Sequence, residues 1–312
     1  MLNDFRSRMM SALRTCPPVL DQHHHPVIDT RKPNAARVWN YWLGGKDHYP
    51  IDRMLGAQIR VLIPDITDIA CASRGFLHRA VRHLAAEVGL RQFLDIGPGL
   101  PTRNTHHIAQ GIAPDCRIVY VDHDPLVLAH ARALLISTPQ GRIGYLDAEL
   151  GEPEKILAHA TRTLDLTRPV ALLVQTLHPL LDDASAHAIV TRLLDALPAG
   201  SYLLLVHPTA VLHPAAMLTA TRLWNAHTTP AITTRTPHQL THFFDRMELL
   251  EPGIVSCPLW RPSSAPISTP IAVDTFGAVG RKPDNQKSLQ HTRGLGKRWR
   301  CCARDQTKEP DA

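Results

Sequence analysis

Between residues 51 and 89 apolar side chains return every three or four positions: Leu55, Ile59 and Leu62, then Ile66, Ile69, Phe76, Leu77, Val81, Leu84 and Val88. That is the period of a helix with one buried face, and Pro64 cannot donate to a helical ladder, so the stretch predicts two helices with a break between them. Beyond residue 91 the pattern changes. Short apolar runs at 92–96, 117–121, 142–146, 170–174 and 202–206 alternate with helical spacing at 102–111, 125–135, 152–160, 184–197 and 214–226. Strand followed by helix, repeated this often, closes its hydrogen bonds economically only as a mostly parallel sheet with helices on both faces, joined by right-handed crossovers. A further helix at 237–244 and strands at 248–250 and 271–279 would complete a seven-stranded, Rossmann-like α/β fold.

The two ends break the pattern. Residues 1–32 mix Pro17, Pro18 and Pro26 with charges and show no period, which predicts a flexible leader; residues 284–312 predict a disordered basic tail. Between them lie a lid with helices at 33–90 and the Rossmann-like domain at 91–283. A chain of 312 residues with 44% hydrophobic content holds one large core with extensions, not two full-sized domains. The ends also carry the charge. Of the net +6, residues 281–312 contribute +5 and residues 1–37 contribute +3, leaving −2 on the stretch between. The folded middle is therefore not a basic nucleic-acid module, and only the tail offers such a partner a foothold.

Six cysteines, Cys16, Cys71, Cys116, Cys257, Cys301 and Cys302, form no CxxC pair and no zinc spacing, which fits a reducing cytosol. His23, His24 and His25 lack a second ligand cluster, so no metal is expected. No uninterrupted run of 18 apolar residues and no signal-like apolar region stands in the sequence, and the expectation is a cytoplasmic protein away from membranes.

The densest chemistry sits where the first strand ends, in Phe93-Leu94-Asp95-Ile96-Gly97-Pro98-Gly99-Leu100-Pro101-Thr102. A strand running through Asp-x-Gly-x-Gly into a helix brings a tight turn without side chains to the carboxyl edge of the sheet, where α/β folds bind ligands. The second strand ends in Asp122, placed to accept both hydrogen bonds of a ribose diol, and the third in Asp147, placed to accept from an adenine amino group, with His123 or Leu146 packing on the ring and Ala148 next in line. Each acid could instead cap the following helix. Their succession at consecutive strand ends favours a nucleoside-type cofactor. A dinucleotide turn would carry a third glycine and a free helix N-terminus for pyrophosphate; here Leu100, Pro101 and Thr102 follow Gly99. With Asp95 suited to an ammonium group, the layout favours S-adenosylmethionine.

Those residues, with Ala36-Arg37-Val38-Trp39-Asn40-Tyr41-Trp42-Leu43-Gly44-Gly45-Lys46-Asp47-His48-Tyr49, Asn104-Thr105-His106 and Val119-Tyr120-Val121-Asp122-His123-Asp124-Pro125, resemble a bacterial S-adenosyl methyltransferase family long catalogued as a domain of unknown function. The likeness runs from about Pro33 to Pro283. It implies a class I methyltransferase fold, a methyl donor held at Asp95, Gly97, Gly99, Asp122 and Asp147, and an acceptor unassigned across much of the family. Members often carry Glu after the histidine, where this chain has His107, and the loop before Asn104 is one residue shorter.

Gly44-Gly45-Lys46-Asp47 looks like part of a phosphate loop but lacks the Ser/Thr after lysine and a preceding strand. Two readings remain: a lid in which Asn40, Tyr41, Lys46 and Asp47 reach the ligand, or a helix C-cap at Gly44 with an exposed turn. Methyl transfer is an in-line attack that chiefly needs positioning, with a base only where the acceptor must lose a proton. After the fourth strand, Gln175, Thr176 and His178 occupy the acceptor side; His178 is the candidate base, and His207 after the fifth strand a second one. The expected function is methyl transfer to a small-molecule acceptor. Alternatives are a sensor that binds the cofactor without turnover, an NAD-linked oxidoreductase, and nucleic-acid modification guided by the tail.

Overall fold

The computed structural model describes residues 28–284 apart from 103, 176, 181 and 263–269. The expected leader up to residue 27, the tail beyond 284 and Thr176 therefore lie outside the described residues. Three helices come first: α1 (Ala35–Trp42), α2 (Pro50–Leu62) and α3 (Ile66–Ala86). The alternation follows as β1 (Gln92–Ile96), α4 (Thr105–Ile112), β2 (Arg117–Asp122), α5 (Pro125–Leu134), β3 (Arg142–Asp147), α6 (Pro153–Ala160), β4 (Ala171–Val174), α7 (Asp183–Asp195), β5 (Tyr202–Pro208) and α8 (Pro214–His227). The chain then adds α9 (Pro237–Thr241), β6 (Glu248–Leu249), β7 (Val255–Ser256) and β8 (Thr275–Arg281).

The strands form one sheet in the order β3-β2-β1-β4-β5-β8-β6, with β7 beside β8; the first five are parallel and β8 runs antiparallel to β5. Both faces are covered. Leu94, Val119, Leu172 and Leu203 pack against α6 and α7, while Phe93, Tyr120, Leu173 and Leu204 pack against α3 and α4. A sheet buried on both faces explains why its strands read as continuous apolar runs rather than alternating ones.

The helix starts are chemically marked. Asn34 caps α1, its side-chain oxygen accepting from the Arg37 N–H, and Asp124 caps α5 ahead of Pro125 by accepting from Leu126 N–H. The predicted helix at 102–111 begins only at Thr105, because Asn104 takes the cap and His107 closes a capping box by accepting the Asn104 N–H at Nδ1, 3.2 Å. His107 thus fills the place of the family's Glu, which suits the same box.

Two strand expectations need revising. The strand predicted at 271–279 lies at Thr275–Arg281, because the buried Asp274 turns its carboxylate on the backbone N–H groups of Val211, Leu212 and His213 at 2.8–2.9 Å and so belongs to the loop before α8. The two-residue β7 was not predicted; a strand that short has no period to read. No described helix is long and apolar enough to cross a membrane.

Candidate cofactor and acceptor site

Register brings the strand ends together. Ile96 pairs with Val121, and Asp122 with Asp147, so the residues after β1, β2 and β3 emerge side by side. The ladder continues past the strands: Gly97 N–H donates to Val121 O at 2.8 Å, Gln175 N–H to Ile96 O at 3.0 Å, and Ala148 N–H to Asp122 O at 3.2 Å. Gly97 and Gly99 both have left-handed backbone, φ +74° and +68°, which a side chain would strain. The turn between them is held from below by Arg74 of α3, whose Nη2 donates to Pro98 O at 2.6 Å. Burial works against the Arg74 charge, and the nearby Asp95 works for it.

Asp122 is partly buried at the rim of this crevice. One oxygen accepts from Asp124 N–H at 2.9 Å, and the Gly99 N–H also contributes. Burial is the larger influence and pushes its carboxyl up to about 6. Asp147 and His123 are exposed beside it, and Ala148 and Leu146 are buried. Asp95 lies deeper than Asp122. It is only 1% exposed and lies behind the turn, with Oδ2 accepting from Thr105 Oγ1 at 2.7 Å and Oδ1 from Gln175 Nε2 at 2.5 Å. Burial raises its pKa, opposed by those two bonds and by Arg74.

Helix α1 closes one side of the crevice. The Asn34 amide donates to Asp124 Oδ2 at 2.7 Å, and Ala36 packs with Leu100, Leu126 and Val127. At its base the buried pair Arg37–Asp52, 2.7 Å, joins α1 to α2, and Asp52 also accepts from the Asn34 and Tyr49 N–H groups. The glycines that follow are a C-cap. Gly45 N–H donates to Asn40 O at 2.8 Å and Gly44 N–H to Tyr41 O at 3.1 Å, with Gly44 at φ +74°, which is the Schellman pattern. Gly45 is needed because a Cβ there would strike the Asn40 side chain, which is buried and accepts from the Asp47 N–H at 2.9 Å. Tyr41 is partly buried, whereas Lys46 and Asp47 are exposed.

Next to the crevice lies a cavity of about 720 Å³, counting the part open to solvent. Trp39 and Trp42 of α1 and Trp224 of α8 form its aromatic wall, with Trp42 5.6 Å from Trp39 and 5.8 Å from Trp224 between ring centres. Ile59 and Met217 add aliphatic surface; Ser73, Gln175, His178 and Thr221 are among its polar groups, and among the described residues no Asp, Glu, Lys or Arg lines it. Gln175 therefore belongs to both spaces: it lines the cavity while its amide holds Asp95.

The two candidate bases differ. His207 is fully buried, with Nδ1 donating to Pro208 O at 2.8 Å and Nε2 accepting from Arg235 Nη1 at 2.9 Å, so both nitrogens are used. The buried Arg235 also binds Leu177 O, Leu180 O and Asp183, pinning the loop after β4. His178 sits in that loop, its backbone O accepting from Thr233 N–H at 2.9 Å. Its Nδ1 is buried without a partner, and burial together with Arg235 pulls its pKa down to about 4.

The profile of the S-adenosyl methyltransferase family matches residues 21–283. The chain belongs to that family. Its cofactor is S-adenosylmethionine, and the fold is a mostly parallel, Rossmann-like sheet between helices. Among solved structures it is similar to a DUF574 family protein from Streptomyces avermitilis, 43% identical, covering 82% of this chain and 99% of that one with a TM-score of 0.78. It is also similar to a candidate methyltransferase from Thermobifida fusca, 38% identical, covering 83% and 98% with a TM-score of 0.75. No functionally curated protein matches the chain.

Within this family member, the structure gathers Gly97, Pro98, Gly99, Asp122, His123, Asp147 and Ala148 at one sheet edge, and Gln175 and His178 at the adjoining cavity. Sequence reasoning did not single out Arg74, Arg235 or the three tryptophans as one wall. Trp39 and Trp42 were visible at helical spacing, but nothing local joins them to Trp224. Among the described residues, no group of three or more His, Cys, Asp or Glu side chains could hold a metal ion.

Proposed function

We propose that this chain transfers the methyl group of S-adenosylmethionine to a small-molecule acceptor seated in the tryptophan-lined cavity. The observation that carries this reading is Gln175, which reaches Asp95 under the glycine turn and lines the cavity, so the two spaces meet at one side chain. The donor set fits the cofactor. Two left-handed glycines leave room for it, Asp122 offers a carboxylate to the ribose hydroxyls, Asp147 stands where an adenine amino group would lie, and Arg74 supplies a cation for the carboxylate end. His123 and Ala148 flank the ring position.

Bound there, S-adenosylmethionine would supply an electrophilic methyl group on a cationic sulfur, open to an acceptor's lone pair, with the C–S electron pair left on sulfur. The protein's part is to position. Asp95 acts through Gln175, holding its amide at the junction of cofactor and acceptor. His178, with its pKa near 4, is uncharged at neutral pH and serves the acceptor as a hydrogen-bond partner rather than a strong base. An acceptor that must lose a proton passes it to water. The lid is helix α1, with Trp39 and Trp42 on the cavity, and its Gly44-Gly45-Lys46-Asp47 turn is the C-cap that Asn40 fixes.

Calorimetric titration with S-adenosylmethionine, S-adenosylhomocysteine and NAD, beside an Asp122→Ala variant, tests the cofactor half. Binding of the first two, lost in the variant, is expected; binding of NAD alone, or of none, would overturn it. Mass-spectrometric detection of a methylated product from a neutral-compound library tests turnover, and binding with no methyl loss to any acceptor would favour a sensor.

A further inference from the structure

We propose that the acceptor is an uncharged, ring-bearing molecule carrying an oxygen that accepts a hydrogen bond from Trp224 and a polar group that pairs with His178. The inference rests on the methyltransferase reading above and deepens it.

Three features of the cavity lead there. Its wall is made of three indoles, with Trp42 against both Trp39 and Trp224, a surface whose flat faces and edges favour another ring. Among the described residues it has no Asp, Glu, Lys or Arg in its lining, and two charged groups bonded to lining side chains have partners of their own: Asp95 in Thr105 and Gln175, Arg235 in His207, Asp183 and two backbone carbonyls. A carboxylate or phosphate entering this space would lose its hydration and find no side chain of opposite charge in the described lining.

The third feature is a pair of unmet polar atoms. Trp224 is 4% exposed, and its Nε1 is buried with no hydrogen-bond partner; His178 Nδ1 is in the same condition, and both residues line the cavity. Buried polar groups in native proteins are nearly always paired, so two orphans on one cavity wall point to a ligand that completes them. An indole N–H can only donate, which fixes the first ligand group as an acceptor such as a carbonyl or ether oxygen. His178, held neutral, can take either role. The contrast with His207, whose two nitrogens are both satisfied, separates the residue that faces a ligand from the one that holds the scaffold.

Three probes of one shape test this on the full chain saturated with S-adenosylhomocysteine: 2-acetylnaphthalene, its isosteric carboxylate 2-naphthoate, and 2-ethylnaphthalene, which lacks the oxygen. Binding is read by tryptophan fluorescence and calorimetry. The ketone is expected to bind at least about 10-fold tighter than the carboxylate, and Trp224→Phe to weaken the ketone about 5-fold while leaving 2-ethylnaphthalene unchanged, the span of one neutral hydrogen bond. Near-ultraviolet circular dichroism confirms that the variant is folded. Equal binding of ketone and carboxylate, an equal effect of Trp224→Phe on ketone and hydrocarbon, or no probe binding to protein that binds S-adenosylhomocysteine would each overturn the proposal. Failure of S-adenosylhomocysteine itself to bind, with the ketone still preferred, would instead overturn the cofactor reading and leave the cavity's preference standing.

Discussion

Replacing Asp122 by Asn should make the protein more stable and worse at holding its cofactor. Burial lifts this carboxyl from its ordinary 3.8 to about 6, a difference of about 2 units. At 1.36 kcal/mol per unit, keeping it ionised in the folded state at pH 8 costs about 3 kcal/mol. Asn removes that cost. It keeps one acceptor for the Asp124 N–H but turns an NH2 toward the Gly99 N–H, giving back about 1 kcal/mol. The net gain is about 2 kcal/mol, or an increase in Tm of about 4–8 °C for a domain of this size. The sign with pH follows from linkage. A carboxyl whose folded pKa lies above its unfolded one binds a proton on folding, so its penalty is absent below about 4, grows as pH rises through about 6, and is complete above that. Urea melts of both proteins at pH 4.5, 6 and 8 should therefore show the variant's advantage vanishing toward acid. In the wild type, cofactor affinity should fall as pH drops below about 6, because ribose hydroxyls pair with the ionised form; in the variant it should be weak and flat. A variant less stable than wild type at pH 8, or a stability difference that does not change with pH, would refute the burial argument.

Other perturbations separate roles within the site. Arg74→Met should weaken S-adenosylhomocysteine about 10- to 100-fold, the span of a charged hydrogen bond, while leaving 5′-methylthioadenosine, which lacks the amino acid end, unaffected in calorimetry. Equal losses for both ligands would assign Arg74 to the turn alone. Once an acceptor is found, the rate between pH 5.5 and 9 should show no limb from His178, since its pKa near 4 leaves it neutral throughout; a limb near 6.5 abolished by His178→Gln would contradict its burial. Asp274→Ala leaves the N–H groups of Val211, Leu212 and His213 without their acceptor and should cost at least about 3 kcal/mol in urea unfolding.

The sheet was legible because its physics is local. Strands buried on both faces are short apolar runs, and Asp95, Asp122 and Asp147 mark their ends in the sequence itself. The cofactor edge follows from the same periodicity, since parallel register aligns whatever follows each strand. What the chain hides is convergence. Trp39 and Trp224 lie near opposite ends of the folded region and meet only because α1, α2 and α8 pack into one cluster. Asp95 reads as a ligand by position, and its burial and its bonds to Thr105 and Gln175 join positions too far apart for any local pattern to carry. Gly44 and Gly45 read equally as lid or cap, and the hydrogen bonds that settle their local role run back to Asn40 and Tyr41. His107 shows the reverse case, a departure from the family's sequence that keeps the family's capping geometry.

The Asn34–Asp124 bond ties two events that would otherwise be independent. Asp124 lends its N–H to Asp122 and its side chain to the first residue of the arm that bears Trp39 and Trp42. If cofactor and acceptor sit as proposed, what steadies the loop at Asp122 also steadies the aromatic wall, and occupancy on one side is expected to raise affinity on the other by the same factor in both directions. That reciprocity fixes no order of arrival; on the proposed reading it makes the protein without its methyl donor a weaker trap for acceptors.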